Sequence, residues 1–238
     1  KCQSITEYCN RLRRANDVEL TKFFNAITTN LTNFYRESHH FDYLKNAVVP
    51  EVLKLNASSK RMRVWSAACS TGEEPYSIAI TLADAMRTQL NQWDVKILAT
   101  DLDTDVLSKA KQGVYHRDRI KDIDSKIVKS WFHQGIGANK HNVKVDQRIR
   151  QLITFKQLNL LGSWPMKGPF DVIFCRNVLI YFDKNTQETL ISRYFDYLRP
   201  GGILMLGHSE NIGRANQGKF EFIGKTIFKK PNMTSVVS

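Results

Sequence analysis

The sequence predicts an α/β fold in which a mostly parallel sheet follows a helical segment and contains a small β-rich insertion. Apolar strands alternate with amphipathic helices: Met62–Ala67 and Val95–Thr100 are predicted strands, and Pro75–Arg87 is a predicted helix. Phe170–Cys175 (FDVIFC) is an uninterrupted apolar run, as expected for a strand covered by helices on both faces. The alternation stops at Gly113 and resumes near 152, which predicts an insertion.

The segment before the sheet is predicted to be helical over residues 4–56. Its apolar residues follow helical spacing, with Pro50 expected to interrupt the pattern and Asn56–Ser59 to form a linker. A helix over Asp103–Lys111 follows the second strand. Residues 114–150 are polar and basic and predict a partly antiparallel β structure.

After the insertion, the α/β pattern continues to the end of the sheet. Leu152–Phe155 and Ile203–Gly207 are predicted strands, and Asp183 caps a helix that Pro200-Gly201-Gly202 ends. Phe220–Phe228 predicts a closing hairpin. The predicted division is therefore a helical domain (1–56), a Rossmann-like domain (57–114 and 152–238) and an inserted β subdomain (115–151).

Composition favours a globular, cytoplasmic, monomeric protein with an acidic partner. No run approaches the ~20 apolar residues that cross a bilayer, and the chain begins with no secretion-type leader. Its four cysteines lack metal-ligand spacing, so we expect reduced thiols and no metal. The net charge is +12, of which +7 lies between Lys111 and Lys156. Such a patch favours nucleic acid, an acidic protein or an anionic surface.

The strand–turn–helix at VWSAACSTGEEPYSIAI predicts a ligand site of unusual charge. An acid at the end of the next strand, Asp101, is typical of a residue that binds ribose hydroxyls. Glu73 and Glu74 open the helix where a dinucleotide would place its pyrophosphate, and they would repel it. A positively charged adenosine ligand without phosphates, such as S-adenosylmethionine, fits better. Alternatively, both glutamates only cap the helix in solvent.

Five motifs in order resemble the chemotaxis receptor methyltransferase family, CheR. They are NAITTNLTNFYRESHHF, RVWSAACSTGEEPYSIAI, ATDLDTDVL, FDVIFCRNVLIYFD and LRPGGILMLGHSE, and they span about residues 20–228. The resemblance departs at the N-terminus, where the family's helical domain is longer. It implies a Rossmann-like, S-adenosylmethionine-dependent methyltransferase fold.

The resemblance also implies an activity and a set of site residues. The implied reaction is methyl transfer to glutamate side chains of membrane chemoreceptors, giving glutamate methyl esters and S-adenosylhomocysteine. The inserted subdomain is expected to dock the receptor, in some members through a C-terminal tail peptide, which recruits the enzyme to receptor arrays. Implied cofactor contacts are Asn30, Thr32, Arg36, Glu74, Asp101, Asn159, Leu160, Arg176 and Asn177.

Methylation of a carboxylate needs no general base, because a glutamate with a pKa near ~4.3 is ionised at pH 7. The enzyme must desolvate and orient it. We assign Arg36 to a two-pronged contact with this carboxylate and Tyr181 to a further hydrogen bond. Alternatively, Arg36 is a surface residue and Tyr181, within the apolar run VLIYF, a core residue. Asn177 is otherwise a turn former, and the histidines at 39, 40 and 208 are expected to pack or hydrogen-bond.

Three other classes of protein remain as alternatives. An RNA methyltransferase would use the basic patch, but RNVLIYFD differs from an Asn-Pro-Pro-Tyr-like stretch and the patch lacks interleaved aromatics. A receptor-binding adaptor would not require Arg36, Glu74, Asp101 and Tyr181 together. An NAD oxidoreductase would require a G-x-G-x-x-G turn, which is absent.

Overall fold

The computed structural model describes residues 4–13, 17–27 and 30–232. The strands are β1 Arg61–Ala67, β2 Asp94–Asp101, β3 Val114–His116, β4 Phe132–Gln134, β5 Asn142–Val145, β6 Ile153–Gln157, β7 Phe170–Cys175, β8 Leu198–Leu206, β9 Glu221–Gly224 and β10 Ile227–Lys229. The α-helices are α1 Ile5–Leu12, α2 Asp17–Ile27, α3 His39–Tyr43, α4 Val49–Leu55, α5 Glu73–Met86, α6 Thr104–Gln112, α7 Ser125–Trp131, α8 Gln147–Arg150 and α9 Lys184–Tyr197. A π-helix covers Leu44–Val48.

Seven strands form the main sheet in the order β6-β2-β1-β7-β8-β10-β9. The first five are parallel, while β10 is antiparallel to both β8 and β9. This arrangement confirms the predicted α/β fold class. Chain order reverses direction between β1 and β7, and ligands of open parallel sheets bind beyond the carboxyl ends of the strands at such a point.

Helices cover both faces of the sheet, which explains why its central strands are so apolar. In β1, Val64 packs on one face with residues of α5, whereas its neighbour Trp65 packs on the other face with residues of α9. Successive strand residues point to opposite faces, so both faces need apolar side chains. All six residues of β7 are buried for the same reason.

The turn between β1 and α5 requires the glycine that the sequence supplies. Gly72 has a φ of +98°, in the left-handed region. A Cβ there would lie 2.8 Å from the Tyr115 hydroxyl and 2.9 Å from the Ala110 Cβ. The tight turn lets α5 start directly beyond the end of β1.

Residues 114–145 form a second, antiparallel sheet in the order β3-β5-β4. Its buried aromatic residues contact the loop before α3: the ring of Phe34 lies 4.9 Å from that of Tyr115 and 5.5 Å from that of Phe132. The small sheet therefore shares a core with the rest of the chain. The division into domains remains a prediction.

Three local predictions are wrong. Residues 30–38 form no helix, because non-local hydrogen bonds such as that from the Tyr35 N–H to Ser77 Oγ fix them as a loop. Pro50 does not interrupt its helix: the backbone stays helical from α3 through the π-helix into α4, and Pro50 lies directly after the wider π turn, in which the Val49 N–H bonds to the Leu44 carbonyl. Pro200-Gly201-Gly202 lies inside β8, since Gly201 and Gly202 pair with Lys230.

Among the described residues, no helix has both the length and the apolar character that spanning a membrane requires.

Candidate functional site

A cavity of about 490 Å³ lies at the carboxyl ends of β1, β2 and β7. Its volume is in the range of small-molecule sites. All ten residues predicted for the site line it: Asn30, Thr32, Arg36, Glu74, Asp101, Asn159, Leu160, Arg176, Asn177 and Tyr181. The fold thus brings together residues from five separated segments, while the role of each residue remains a prediction.

Asp101 ends β2 and is fixed by backbone donors. Its Oδ2 accepts the N–H of Ser70 at 2.8 Å, and its Oδ1 accepts the N–H of Asp103 at 3.0 Å. Burial raises the pKa of this carboxyl group. Each carboxylate oxygen has two lone pairs, so both can still accept a hydroxyl from the cavity. The geometry suits recognition of a vicinal diol such as a ribose.

Glu74 and Arg176 form a buried ion pair in the cavity wall. Arg176 Nη1 donates to Glu74 Oε2 at 3.0 Å, and Ser66 Oγ donates to Glu74 Oε1 at 2.7 Å. Burial raises the pKa of Glu74, and Arg176 opposes this shift. The pair gives the cavity an acceptor and a donor side by side, with Glu74 in the first turn of α5 and Arg176 directly after β7.

Glu73 points away from the cavity, although it is the neighbour of Glu74. Adjacent residues of a helix lie about 100° apart, so the two carboxylates face different sides. Glu73 is buried and binds Arg119 and Thr71 Oγ1 on the side of the small sheet. The expectation that both glutamates face the ligand is therefore wrong for Glu73. The alternative that both lie in solvent is also wrong, because both are buried.

Arg36 and Tyr181 lie on separate segments of the cavity wall. Arg36 Nη1 donates to the Leu31 carbonyl at 3.0 Å, which folds the loop of residues 30–38 around the guanidinium. Tyr181 ends the short 3-10 helix Leu179–Tyr181, and 58% of the residue is exposed. The alternative of a core tyrosine is therefore wrong. Both side chains can reach a group that enters from solvent.

The loop that carries Asn30, Thr32 and Arg36 is anchored to the sheet ends. Asn30 Nδ2 donates to Asp103 Oδ2 at 2.9 Å, and its carbonyl accepts Ser70 Oγ at 3.0 Å. The Thr32 carbonyl contacts Arg119. These bonds close one side of the cavity.

Asn159 and Leu160 form the turn after β6. The Asn159 Oδ1 accepts the N–H of Leu161 at 2.9 Å, and the Leu160 carbonyl accepts Arg193 Nη1 at 2.8 Å. Asn177 has a φ of +57°, so it is both a turn residue and a cavity residue.

Two glutamates that the sequence did not single out organise the site. Glu210 is buried and accepts the backbone N–H groups of Asn177, Val178, Leu179 and Gly207 at 2.6–2.9 Å. It therefore fixes the segment that carries Arg176, Asn177 and Tyr181. The one signal in the sequence is its place as an acid just beyond β8, in GHSE.

Glu37 is the second such residue. Its carboxylate lies 3.4 Å from Arg176 Nη2, accepts Asn177 Nδ2 at 3.3 Å and lies 3.1 Å from His208 Nδ1. Burial opposes its ionisation, but Arg176 and the hydrogen bonds from His208 and Asn177 outweigh burial and lower its pKa to about 2. Its φ of +55° is uncommon for a residue with a side chain.

The histidines lie behind this network. His39 Nε2 and His40 Nε2 each lie 3.2 Å from the Lys225 carbonyl, so both hydrogen-bond as expected. Burial lowers the pKa of His40 to about 3. With Glu37 they form a group whose potential ligand atoms lie within 4.8 Å of one another. The Glu37 carboxylate already has a positively charged neighbour, because Arg176 Nη2 lies 3.4 Å from it.

The basic segment between residues 111 and 156 offers few aromatic side chains on which nucleic-acid bases could stack. Three of its four aromatic side chains, Tyr115, Phe132 and Phe155, are buried, and Trp131 is covered by Arg148 at 4.9 Å. Single-stranded nucleic acid needs accessible aromatic faces. The RNA alternative is not favoured.

Comparison with known proteins identifies relatives over most of the chain. Residues 30–229 match the family described as CheR methyltransferase, SAM binding domain. The chain is 44% identical over 228 residues to "Chemotaxis protein methyltransferase 2" of Pseudomonas aeruginosa, covering 94% of this chain and 78% of that protein. It is 41% identical over 224 residues to "Probable chemotaxis protein methyltransferase" of Rhizobium etli, covering 94% and 83%. It is 43% identical over 211 residues to "Chemotaxis protein methyltransferase" of Escherichia coli, covering 88% and 70%.

These matches confirm the predicted family, the predicted enzyme class and S-adenosylmethionine as the cofactor. The cavity is consistent with that cofactor: Asp101 offers acceptors for a diol, the Glu74–Arg176 pair offers charges of both signs, and Leu160 supplies apolar surface. The chain belongs to the CheR family of S-adenosylmethionine-dependent chemotaxis methyltransferases.

Proposed function

We propose that this enzyme methylates glutamate side chains of membrane chemoreceptors and converts them to methyl esters. The observation that carries the proposal is the placement of Arg36 and Tyr181 on the wall of the cavity that also holds Asp101 and Glu74. An arginine suits a carboxylate, because its planar guanidinium can donate two parallel hydrogen bonds to the two oxygens.

The cofactor would be held by Asp101 at its ribose and by the Glu74–Arg176 pair at its charged methionyl end, with Asn30, Thr32, Asn159, Leu160 and Asn177 completing the walls. When bound, S-adenosylmethionine supplies an electrophilic methyl group, so the products are a neutral ester and a thioether.

The protein's own contribution is to desolvate and orient the substrate carboxylate. Arg36 binds it through two hydrogen bonds, and Tyr181 donates a third from its hydroxyl. No side chain has to remove a proton, because the carboxylate is ionised at neutral pH. The ester carries no charge, so Arg36 binds the product more weakly than the substrate, which favours release.

The basic insertion would serve recognition. Residues 115–151 carry a net charge of +5 out of +12 and form most of the small sheet, in which β3 and β4 are the edge strands. We propose that this subdomain docks the receptor, including a receptor tail peptide where one is present, and recruits a cytoplasmic, monomeric enzyme to receptor arrays. The predicted domain boundaries belong to this proposal.

The test is to incubate the enzyme with cofactor carrying a labelled methyl group and either receptor-bearing membranes or total RNA. We expect label on the membrane protein and its release as methanol by mild base, which marks a carboxyl ester. Base-stable label in RNA, or label on protein that mild base does not release, would overturn the proposal.

A further inference from the structure

Glu73 is a buried acid that the proposed reaction does not use. Its carboxylate accepts the hydroxyl of Thr71 at 2.6 Å and forms an ion pair with Arg119. A carboxylate buried this deeply is stable in a fold only where it is paired and hydrogen-bonded. Arg119 belongs to the 3-10 helix Arg117–Ile120 of the insertion, so the pair joins the insertion to the first turn of α5.

Arg119 also reaches the loop that carries the proposed substrate-binding residue. The Nη2 atom that contacts the Glu73 carboxylate also donates to the carbonyl of Thr32. Thr32 precedes Arg36 in the loop of residues 30–38, and both line the cavity. The buried carboxylate holds the guanidinium in place, and the planar guanidinium then binds the loop with little further loss of freedom.

A second connection runs from the same turn of α5 to the residue directly before Arg36. The backbone carbonyl of Glu73 accepts Ser77 Oγ at 2.7 Å, and Ser77 Oγ in turn accepts the N–H of Tyr35 at 3.0 Å. Ser77 is buried, so neither bond competes with water. The loop is therefore tied to the start of α5 at both Thr32 and Tyr35.

The backbone on either side of Arg36 needs such anchors. Tyr35 has a φ of +53° and Glu37 a φ of +55°, both in the left-handed region. Residues with side chains keep this conformation only where the surrounding structure fixes it. The direction of the Arg36 side chain therefore depends on the bonds that hold the loop.

We infer that Arg119 is a positioning residue for methyl transfer: held by Glu73, it fixes the loop so that Arg36 faces the substrate carboxylate. Arg119 lines a separate cleft beside α6 and acts through the loop, without touching the reacting groups. The inference rests on the proposed function, in which Arg36 binds that carboxylate. The insertion then has a second role besides docking, because it supplies part of the support of the active site.

The test combines changes at Arg119 with a change at Arg36. Arg119→Gln and Arg119→Lys are made in the wild type and in the Arg36→Lys variant. Lys109 lines the same cleft as Arg119, so Lys109→Gln removes an equal charge nearby and is the matched control. The kcat for methyl transfer to a receptor cytoplasmic fragment is measured at saturating S-adenosylmethionine, and urea unfolding measures stability.

We expect Arg119→Gln to lower kcat about tenfold, and Arg119→Lys, which keeps the charge and a donor, to stay within about threefold of wild type. In the Arg36→Lys background, Arg119→Gln should lower kcat less than about twofold, because both changes disturb one contact with the substrate. Lys109→Gln should keep kcat within about twofold of wild type. A merely structural role would change unfolding alone and leave the kcat of the folded enzyme intact.

Ser77→Ala provides an independent variant if Arg119→Gln does not fold. It removes the bond to the Tyr35 N–H and leaves Arg119 in place. We expect it to lower kcat in the wild type, again with a much smaller effect in the Arg36→Lys background.

Three results would overturn the inference. They are a wild-type kcat in both Arg119→Gln and Ser77→Ala, a loss of the same factor with and without Arg36→Lys, and an equal loss in Lys109→Gln. The proposed function fails separately, and the inference with it, if the wild-type enzyme transfers no methyl group to the fragment or if Arg36→Lys alone retains full turnover.

Discussion

Replacement of Glu210 by glutamine tests how the cavity segment after β7 is held in place. In the wild type, Glu210 Oε1 accepts the N–H groups of Val178 and Leu179, and Oε2 accepts those of Asn177 and Gly207. A glutamine has the same shape, but its amide nitrogen is a donor and cannot accept. One pair of N–H groups would therefore face an NH₂ group.

The expected loss of stability follows from leaving two backbone N–H groups without an acceptor in a buried site. Each buried unsatisfied donor costs about 1–3 kcal/mol, so Glu210→Gln should lower the free energy of unfolding by about 2–6 kcal/mol unless the segment rearranges. If it rearranges, Asn177 and Tyr181 move, and the loss appears as weaker cofactor binding instead. Urea unfolding and calorimetry with S-adenosylhomocysteine measure the two quantities.

Glu188→Gln is the matched control. Glu188 Oε1 accepts one backbone N–H, that of Ala215, at 3.3 Å near the surface. We expect a change below about 0.5 kcal/mol there. If Glu210→Gln matched the wild type in both unfolding and cofactor affinity, the anchoring account would be wrong.

Three further predictions concern the site itself. Asp101→Ala removes two charged acceptors from the proposed ribose position, so affinity for S-adenosylhomocysteine should fall about a hundredfold by calorimetry; unchanged affinity would place the ribose elsewhere. Arg36→Lys loses one of two proposed hydrogen bonds to the carboxylate, so turnover should fall ten- to a hundredfold with little change in cofactor affinity, and full turnover would refute the orienting role. The pKa of Glu37 is lowered to about 2 from 4.5, so its stabilising contribution is complete above pH 4.5 and is lost as pH falls toward 2. Glu37→Gln should therefore reduce the slope of stability against pH in that window, whereas an unaltered slope would contradict the role of Arg176 beside it.

Much of the fold could be predicted because its signals are local. The apolar run FDVIFC corresponds to β7 residue for residue, since both faces of that strand are covered. Asp103 and Asp183 cap α6 and α9 through their own side chains, so the acids mark where each helix begins.

The wrong predictions concern residues whose state depends on distant parts of the chain. Residues 30–38 were predicted to be helical because apolar residues with helical spacing precede and follow them, but Ser70, Ser77 and Arg176 hold them as a loop. Glu73 and Glu74 are adjacent in sequence, and only the fold shows that Arg119 binds one while Arg176 binds the other.

Glu210 was missed for a related reason. Its importance comes from four backbone donors in two segments, and no spacing in the sequence encodes their convergence. The predicted site residues, in contrast, each follow the end of a strand or lie in a motif shared with the CheR family. Their convergence on one cavity was therefore predictable, whereas the network that supports them was not.

The most direct test of the account is the chemical position of the transferred methyl group. A receptor cytoplasmic fragment is incubated with enzyme and S-adenosylmethionine, and its peptides are sequenced by tandem mass spectrometry alongside a reaction with the Arg36→Lys variant. The account predicts one added methyl group on the side chains of particular glutamates, sharply reduced with the variant. Methyl groups on lysine, arginine or the backbone, or equal glutamate methylation by the variant, would contradict it.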